Sequence, residues 1–125
     1  MARFGLSLLA AALPVLGTAA SMIPAGAQFS ERSGPELYAA ICQACHMANA
    51  KGSEGAGHYP ALAANPNLAA SGYILHNVLH GRHGMPGFKD ELDDAQVAAV
   101  INHVRTHYGN QYTDDVTAEQ VAQAR

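Results

Sequence analysis

The stretch Cys42-Gln43-Ala44-Cys45-His46, CQACH, holds both cysteines of the 125-residue chain and one of its seven histidines. Two thiols separated by two residues, with an imidazole directly after them, admit three chemistries: a redox dithiol, part of a metal cage, or an anchor for haem.

A reactive dithiol needs a helix N-terminus, in a βαβ scaffold, to lower the pKa of its attacking thiol. Here the pair falls at the end of a predicted helix, where the dipole raises a thiol pKa, and no stretch alternates well enough to be a strand. Zinc finds Cys42, Cys45 and His58 at finger-like spacing, but positions 62–64, where the fourth ligand belongs, hold Leu-Ala-Ala. Covalent haem has a mechanical reason for the full pentapeptide: thiols one helical turn apart add to two vinyl groups, and the adjacent imidazole reaches the iron.

The start of the chain points the same way. Arg3 supplies a positive n-region, Phe4 to Leu16 an apolar run, and Ala25-Gly26-Ala27 a small-residue cleavage site, so residues 1–27 are predicted to be a signal peptide and 28–125 the mature domain. The apolar run is short and broken by Pro14, and neither cysteine sits at the cleavage point, which argues against a membrane or lipid anchor. Membrane association is therefore expected to be peripheral at most, and the location periplasmic. Cleavage removes one charge, Arg3, and moves the net charge from −3 to −4, a poor match for nucleic acid. What remains is enough for one small domain whose thin core gains from a large apolar cofactor.

Ser33 with Glu36 forms a capping box, and Leu37, Tyr38 and Ile41 follow as an apolar stripe, predicting a first helix from about Gly34 into CQACH. The Gly- and Pro-punctuated segment NAKGSEGAGHYPALAANPN reads as loop. Ser71 is expected to cap a middle helix carrying Ile74, Leu75, Val78 and Leu79, ended by Gly81. Asp93 with Gln96 opens the strongest pattern, with Val97, Val100, Ile101, Val104 and Tyr108 on one face and Gly109 as the stop. The core domain is placed at 33–109. Residues 110–125 are expected to be a small polar tail that either forms another turn or two from Thr117, capped against Gln120, or frays.

Iron held by His46 needs either a second ligand or an open site. With Met1 and Met22 removed and Met47 too close to His46, Met85 remains, 39 residues after His46 in the constrained loop GRHGMPGFK. His83 competes from the same loop, and His/His ligation lowers the reduction potential relative to His/Met. His76, His80, His103 and His107 fall at helical spacing and read as surface or half-buried residues, while His58 reads as solvated.

In this order, the helix with Gly34 and Tyr38, then CQACH, YPAL, a middle helix ending in GRHGMPGF, and LDDAQVAAVINHVRTHYGN resemble the small class I c-type cytochromes over Ser33 to Gly109. The resemblance implies an all-α fold, three main helices plus loops wrapped around one haem c, bound covalently through Cys42 and Cys45, with His46 and Met85 on the iron. It implies that Gly34 lets the Val100, Ile101 and Val104 face come close, that the Pro60 carbonyl accepts the Nδ1 proton of His46, that Leu62 lines the haem, and that Tyr59 or Arg82 reaches a propionate. Two departures stand out. Ala64 occupies a place where relatives often carry glycine, and the chain has no tryptophan for a propionate.

The segment VRTHYGNQYTDDVTAEQV is further similar to cytochrome subunits and partners of periplasmic dehydrogenases. The implied function is single-electron transfer at a positive potential from a dehydrogenase donor to an oxidase or another cytochrome of the respiratory chain, with no catalytic residue. Contact would be made around Ala48, Gly84, Pro86, Gly87 and Phe88, with Glu54, Asp90 and Glu91 steering a basic partner. Two other readings stay open: a haem enzyme acting on peroxide or a gas-binding protein with a labile Met85, and a fixed cytochrome subunit of a dehydrogenase complex.

Overall fold

Ser33 and Glu36 form the expected capping box, and the chain enters α1 (Gly34–Leu37) with Pro35 in its first turn. In the computed structural model, which describes residues 28–55 and 57–125, the helix then widens into a π turn at Tyr38–Cys42, where the Gln43 N–H reaches back to the Tyr38 carbonyl, before α2 (Gln43–His46). One extra residue in the turn rotates everything after it by about 100° relative to an unbroken α-helix. Periodicity did not announce this shift. The proposed signal peptide, residues 1–27, lies outside the described residues.

A short 3₁₀ turn, Pro66–Ala69, precedes α3 (Ser71–His80), and α4 (Asp94–Thr106) and α5 (Ala118–Ala124) complete the all-helical order. Among the described residues the β contacts are two isolated bridges, Ser53 with Tyr59 and Arg82 with Met85. Ser71 does not cap α3, as it is that helix's first residue and Ala70 stands at the cap; the capping side chain lies upstream, where Asn65 accepts from the Asn67 N–H and starts the 3₁₀ turn. Asp93 and Gln96 form the expected box on α4.

α1 crosses α4 at Gly34. A Cβ there would lie 2.4 Å from the Ala99 carbonyl oxygen and 2.5 Å from His103 Cβ. The close approach is thus made to Ala99 and His103, while Val100, Ile101 and Val104 turn into the core beside Leu37, Tyr38, Leu75 and Leu79. α4 ends at Thr106, before Gly109, because Tyr108 already adopts a positive φ of 57° and reverses the chain.

The tail takes the helical of the two forms expected for it, capped by Thr117 and Gln120. A helix of seven residues is far too short to persist alone in water. α5 persists because Thr117 and Gln120 form a capping box at its start and Val121 is completely buried against the core. At its end the Arg125 side chain donates to Asp94 and to the Leu92 and Lys89 carbonyls. Upstream, Arg105 on α4 is completely buried, donating from Nε to the Leu68 carbonyl at 3.0 Å and from its terminal nitrogens to the Ala69 and Asp114 carbonyls and the Asp114 carboxylate. The structural core therefore extends past 109 through Asn110, Val116 and Val121. The other end is pinned in the same manner: the buried Gln96 amide donates to the Phe29 and Glu31 carbonyls.

Candidate functional site

Cys42 and Cys45 sit on the last turns of the first helical stretch, Cys42 half-buried and Cys45 exposed, both as free thiols. Burial, and secondarily the charge of Cys45, pushes the Cys42 thiol up to about 12. A thiol whose burial disfavours the thiolate is a poor attacking group, and the pair lies at a helix end rather than at a helix N-terminus, so both features count against the redox-dithiol reading. Zinc fares no better: His58 is exposed and pairs with Glu54 at 3.3 Å. Among the described residues no three His, Cys, Asp or Glu side chains gather as a metal cage.

His46, by contrast, is buried and oriented. Its Nδ1 lies 2.9 Å from the Pro60 carbonyl oxygen. A carbonyl can only accept, so Nδ1 carries the proton and Nε2 keeps its lone pair. The loop that brings Pro60 there is fastened at several points: Gly52 N–H to the His46 carbonyl, reciprocal bonds between Ser53 and Tyr59, and Leu62 and Ala63 N–H both to the carbonyl of the buried Ala50. Gly52 has φ 63°, and a Cβ on it would lie 2.0 Å from the Tyr59 oxygen and 2.7 Å from the Pro60 carbonyl carbon. Nothing larger than hydrogen fits there. Tyr38 adds a tie by donating to the Met47 carbonyl at 2.8 Å.

Met85 is half-buried in a two-residue turn in which Arg82 and Met85 exchange both backbone hydrogen bonds. His83 occupies the tip of that turn, exposed, with φ 51°. The chain then lies back on the end of α3, where Phe88 and Lys89 N–H groups satisfy the Val78 and Leu79 carbonyls. This return is tight: a Cβ on Gly81 would lie 2.5 Å from the Met85 oxygen, and one on Gly87 would lie 2.6 Å from the Leu79 oxygen.

Of the remaining expected residues, Leu62 is half-buried against the core, Tyr59 is exposed, and Arg82 is exposed with its guanidinium 5.6 Å over the Tyr73 ring. Ala64 takes the turn that relatives often give to glycine and does so with φ 46°.

The family described as cytochrome c oxidase, cbb3-type, subunit III matches residues 29–104. The chain belongs to that cytochrome c family. It is 31% identical over 107 residues to the fructose dehydrogenase cytochrome subunit of Gluconobacter japonicus, covering 74% of this chain and 22% of that protein. Identity to the cytochrome c subunit of alcohol dehydrogenase (quinone) of Gluconobacter oxydans is 33% over 106 residues, 74% of this chain and 22% of the relative. The chain therefore spans about a fifth of the length of these two subunits. Cytochrome c-552 of Thermus thermophilus is 30% identical over 107 residues, covering 73% of this chain and 70% of the relative. Membership in a cytochrome c family implies haem c with iron. The donor chemistry fits that group: neighbouring thiols at one turn's spacing, and an imidazole whose Nε2 lone pair is free because Nδ1 is engaged.

The Arg105 and Gln96 anchors and the Asn110 side chain, which donates to the Leu62 and Val104 carbonyls and accepts from Asn65 N–H, were missed by the sequence reading. A buried Arg among apolar helix positions, and a Gln already assigned to a capping box, give no separate signal of such roles. Among the described residues no helix is long and apolar enough to cross a membrane.

Proposed function

We propose that residues 28–125 are a mono-haem c-type electron carrier of the periplasm, cut from a signal peptide at Ala27, with no catalytic residue of its own. Bound haem supplies a single ferrous/ferric couple. Cys42 and Cys45 would hold the macrocycle as thioethers, and His46 would offer Nε2 to the iron. Met85 rather than His83 would be the second protein ligand, and the tight return at Gly81 and Gly87 fixes the turn that carries it. A thioether and a dry pocket both favour the reduced form, hence a positive potential. Leu62 contributes apolar surface to the pocket, and Tyr59 or Arg82 reaches a propionate.

The observation that carries this reading is the bond from His46 Nδ1 to the Pro60 oxygen, which leaves one lone pair ready at the end of CQACH. The donor is proposed to be a periplasmic dehydrogenase and the acceptor an oxidase or another cytochrome, in keeping with relatives that are cytochrome subunits of dehydrogenases. The exposed Ala48, Gly84 and Pro86 form part of the contact rim, and the exposed Glu54 and Asp90 steer a basic partner.

The same relatives favour one other arrangement, a cytochrome held permanently in a dehydrogenase complex, which stoichiometric co-purification distinguishes from a diffusing carrier. The absorption spectrum of the exported protein tests the main reading. It should show covalent low-spin haem that Met85→Ala converts to a form binding carbon monoxide rapidly, while His83→Ala leaves it unchanged. Colourless protein, or ligation lost on His83→Ala alone, defeats it.

A further inference from the structure

At the end of α4 three side chains with metal-binding chemistry converge. His103 and His107, one turn apart, place their ring centroids 4.2 Å from each other at 38°. Tyr108 then reverses the chain in the left-handed region, which an aromatic residue seldom visits and which tends to mark a functional constraint. The reversal sets its hydroxyl 3.2 Å from His103 Nε2.

The backbone also orients the second imidazole. His107 Nδ1 lies 2.9 Å from the His103 carbonyl oxygen, so Nδ1 donates and Nε2 holds a lone pair on an exposed side chain. That is the arrangement in which a carbonyl fixes the tautomer of a metal-ligating histidine. The C-terminal end of the α4 dipole adds partial negative charge, and the guanidinium of Arg105 is directed away, to Leu68, Ala69 and Asp114.

We propose that His103 and His107, with the Tyr108 hydroxyl as third donor, form a site for a divalent transition cation of the copper and zinc class. Imidazole nitrogens suit both metals, and copper is bound the more tightly. Binding uses the His103 tautomer protonated at Nδ1, in which the Tyr108 hydroxyl donates to Nε2 in the empty site and turns from that nitrogen to the cation when the metal takes its lone pair. The site uses neither the thiols nor Met85. Tyr108 nonetheless links the two regions, since its ring centroid lies 5.0 Å from that of Tyr38, which opens the π turn leading into CQACH.

The second histidine pair, His76 and His80 on α3, is the natural competitor. Its rings are 4.9 Å apart, but His80 Nε2 is tied to the Ala124 carbonyl at 3.2 Å and no third donor of this kind adjoins it among the described residues.

The test uses the haem-loaded protein, so that the thiols are engaged, titrated with Cu²⁺ by electron paramagnetic resonance and with Zn²⁺ by calorimetry. One equivalent should bind, with nitrogen hyperfine structure from two imidazoles, and the exposed substitution His107→Ala should weaken Cu²⁺ binding about tenfold or more. Tyr108→Phe should weaken it less, and His76→Ala with His80→Ala should leave it intact. Unchanged affinity in His107→Ala, loss of binding in the His76 and His80 double variant, or no binding below about 1 mM Cu²⁺ overturns the proposal.

Discussion

His46 Nδ1 lies 2.9 Å from the carbonyl oxygen of Pro60, fourteen residues further on, and Gly52 is the residue that lets the two segments close to that distance. Alanine at position 52 meets two penalties at once: about 1–2 kcal/mol for the left-handed backbone, and a clash with the Tyr59 and Pro60 backbone that only movement of the loop relieves. Gly52→Ala should therefore lower the melting temperature and lose the protected His46 Nδ1 proton in NMR spectra. With a less basic imidazole on the iron, the midpoint potential of the loaded protein should rise.

Gly81 and Gly87 hold the Met85 turn against the end of α3 by backbone contact. Gly87→Ala forces a Cβ to 2.6 Å from the Leu79 oxygen without any positive φ, which isolates the steric effect from backbone strain. It should displace Met85, seen as rapid carbon monoxide binding with haem content unchanged, at a stability loss of about 1–3 kcal/mol. Gly84→Ala, where an added Cβ finds nothing within 4 Å, should leave both readouts unaltered.

At the helix crossing, Gly34→Ala places a Cβ 2.4 Å from the Ala99 carbonyl oxygen. A backbone oxygen inside α4 has no room to yield, so the helices must part, and denaturant unfolding should report a loss of about 1–3 kcal/mol.

Ala64 offers the opposite case, a residue whose replacement should stabilise. Its φ of 46° carries about 1–2 kcal/mol of left-handed strain. Glycine removes that strain but costs about 0.4–1 kcal/mol through a more disordered unfolded chain. The relief of strain outweighs the entropic cost, so Ala64→Gly should raise the melting temperature slightly.

Asp114 gives a pH signature. The hydrogen bond from Arg105 is the largest of the influences that hold its carboxyl below the ordinary value of 3.8. A depressed folded pKa means that the stabilisation is complete above that value and is lost as the pH falls through the folded one. The melting-temperature difference between the native chain and Asp114→Asn should therefore be constant at neutral pH and shrink below about pH 3.8. Arg105→Met should be far more harmful at every pH, since it leaves the Leu68, Ala69 and Asp114 carbonyls without their donor, at about 3 kcal/mol.

The legible features share one property, that each depends on residues close together in the chain. Capping boxes at Ser33 and Asp93, the apolar stripe of α4 and the glycine stop at Gly81 all follow from local periodicity and turn chemistry. The Pro60 carbonyl was placed by family resemblance, and position 64 proved able to bend without glycine. Misses and open choices arose where a distant partner overrode local character. Whether the tail folds or frays stayed open in the sequence because its few apolar residues, Val116 and Val121, meet surfaces made by α3 and α4. Helix α4 stopped short of Gly109 because Tyr108 could bear a positive φ once its carbonyl was taken by the Ala64 N–H.

By itself the amino-acid order determined the helical class, the places where helices start, and the chemistry that CQACH can support, since spacing along a helix follows from about 3.6 residues per turn. Only the folded chain decided which face of that helix is offered, through the π turn at Tyr38–Cys42, and which nitrogen of His46 is free, through a carbonyl fourteen residues away. The physical reason is range: periodicity and caps act over one or two turns, whereas close backbone approach, burial of Arg105 and the seating of α5 exist only when segments remote in sequence exclude water together.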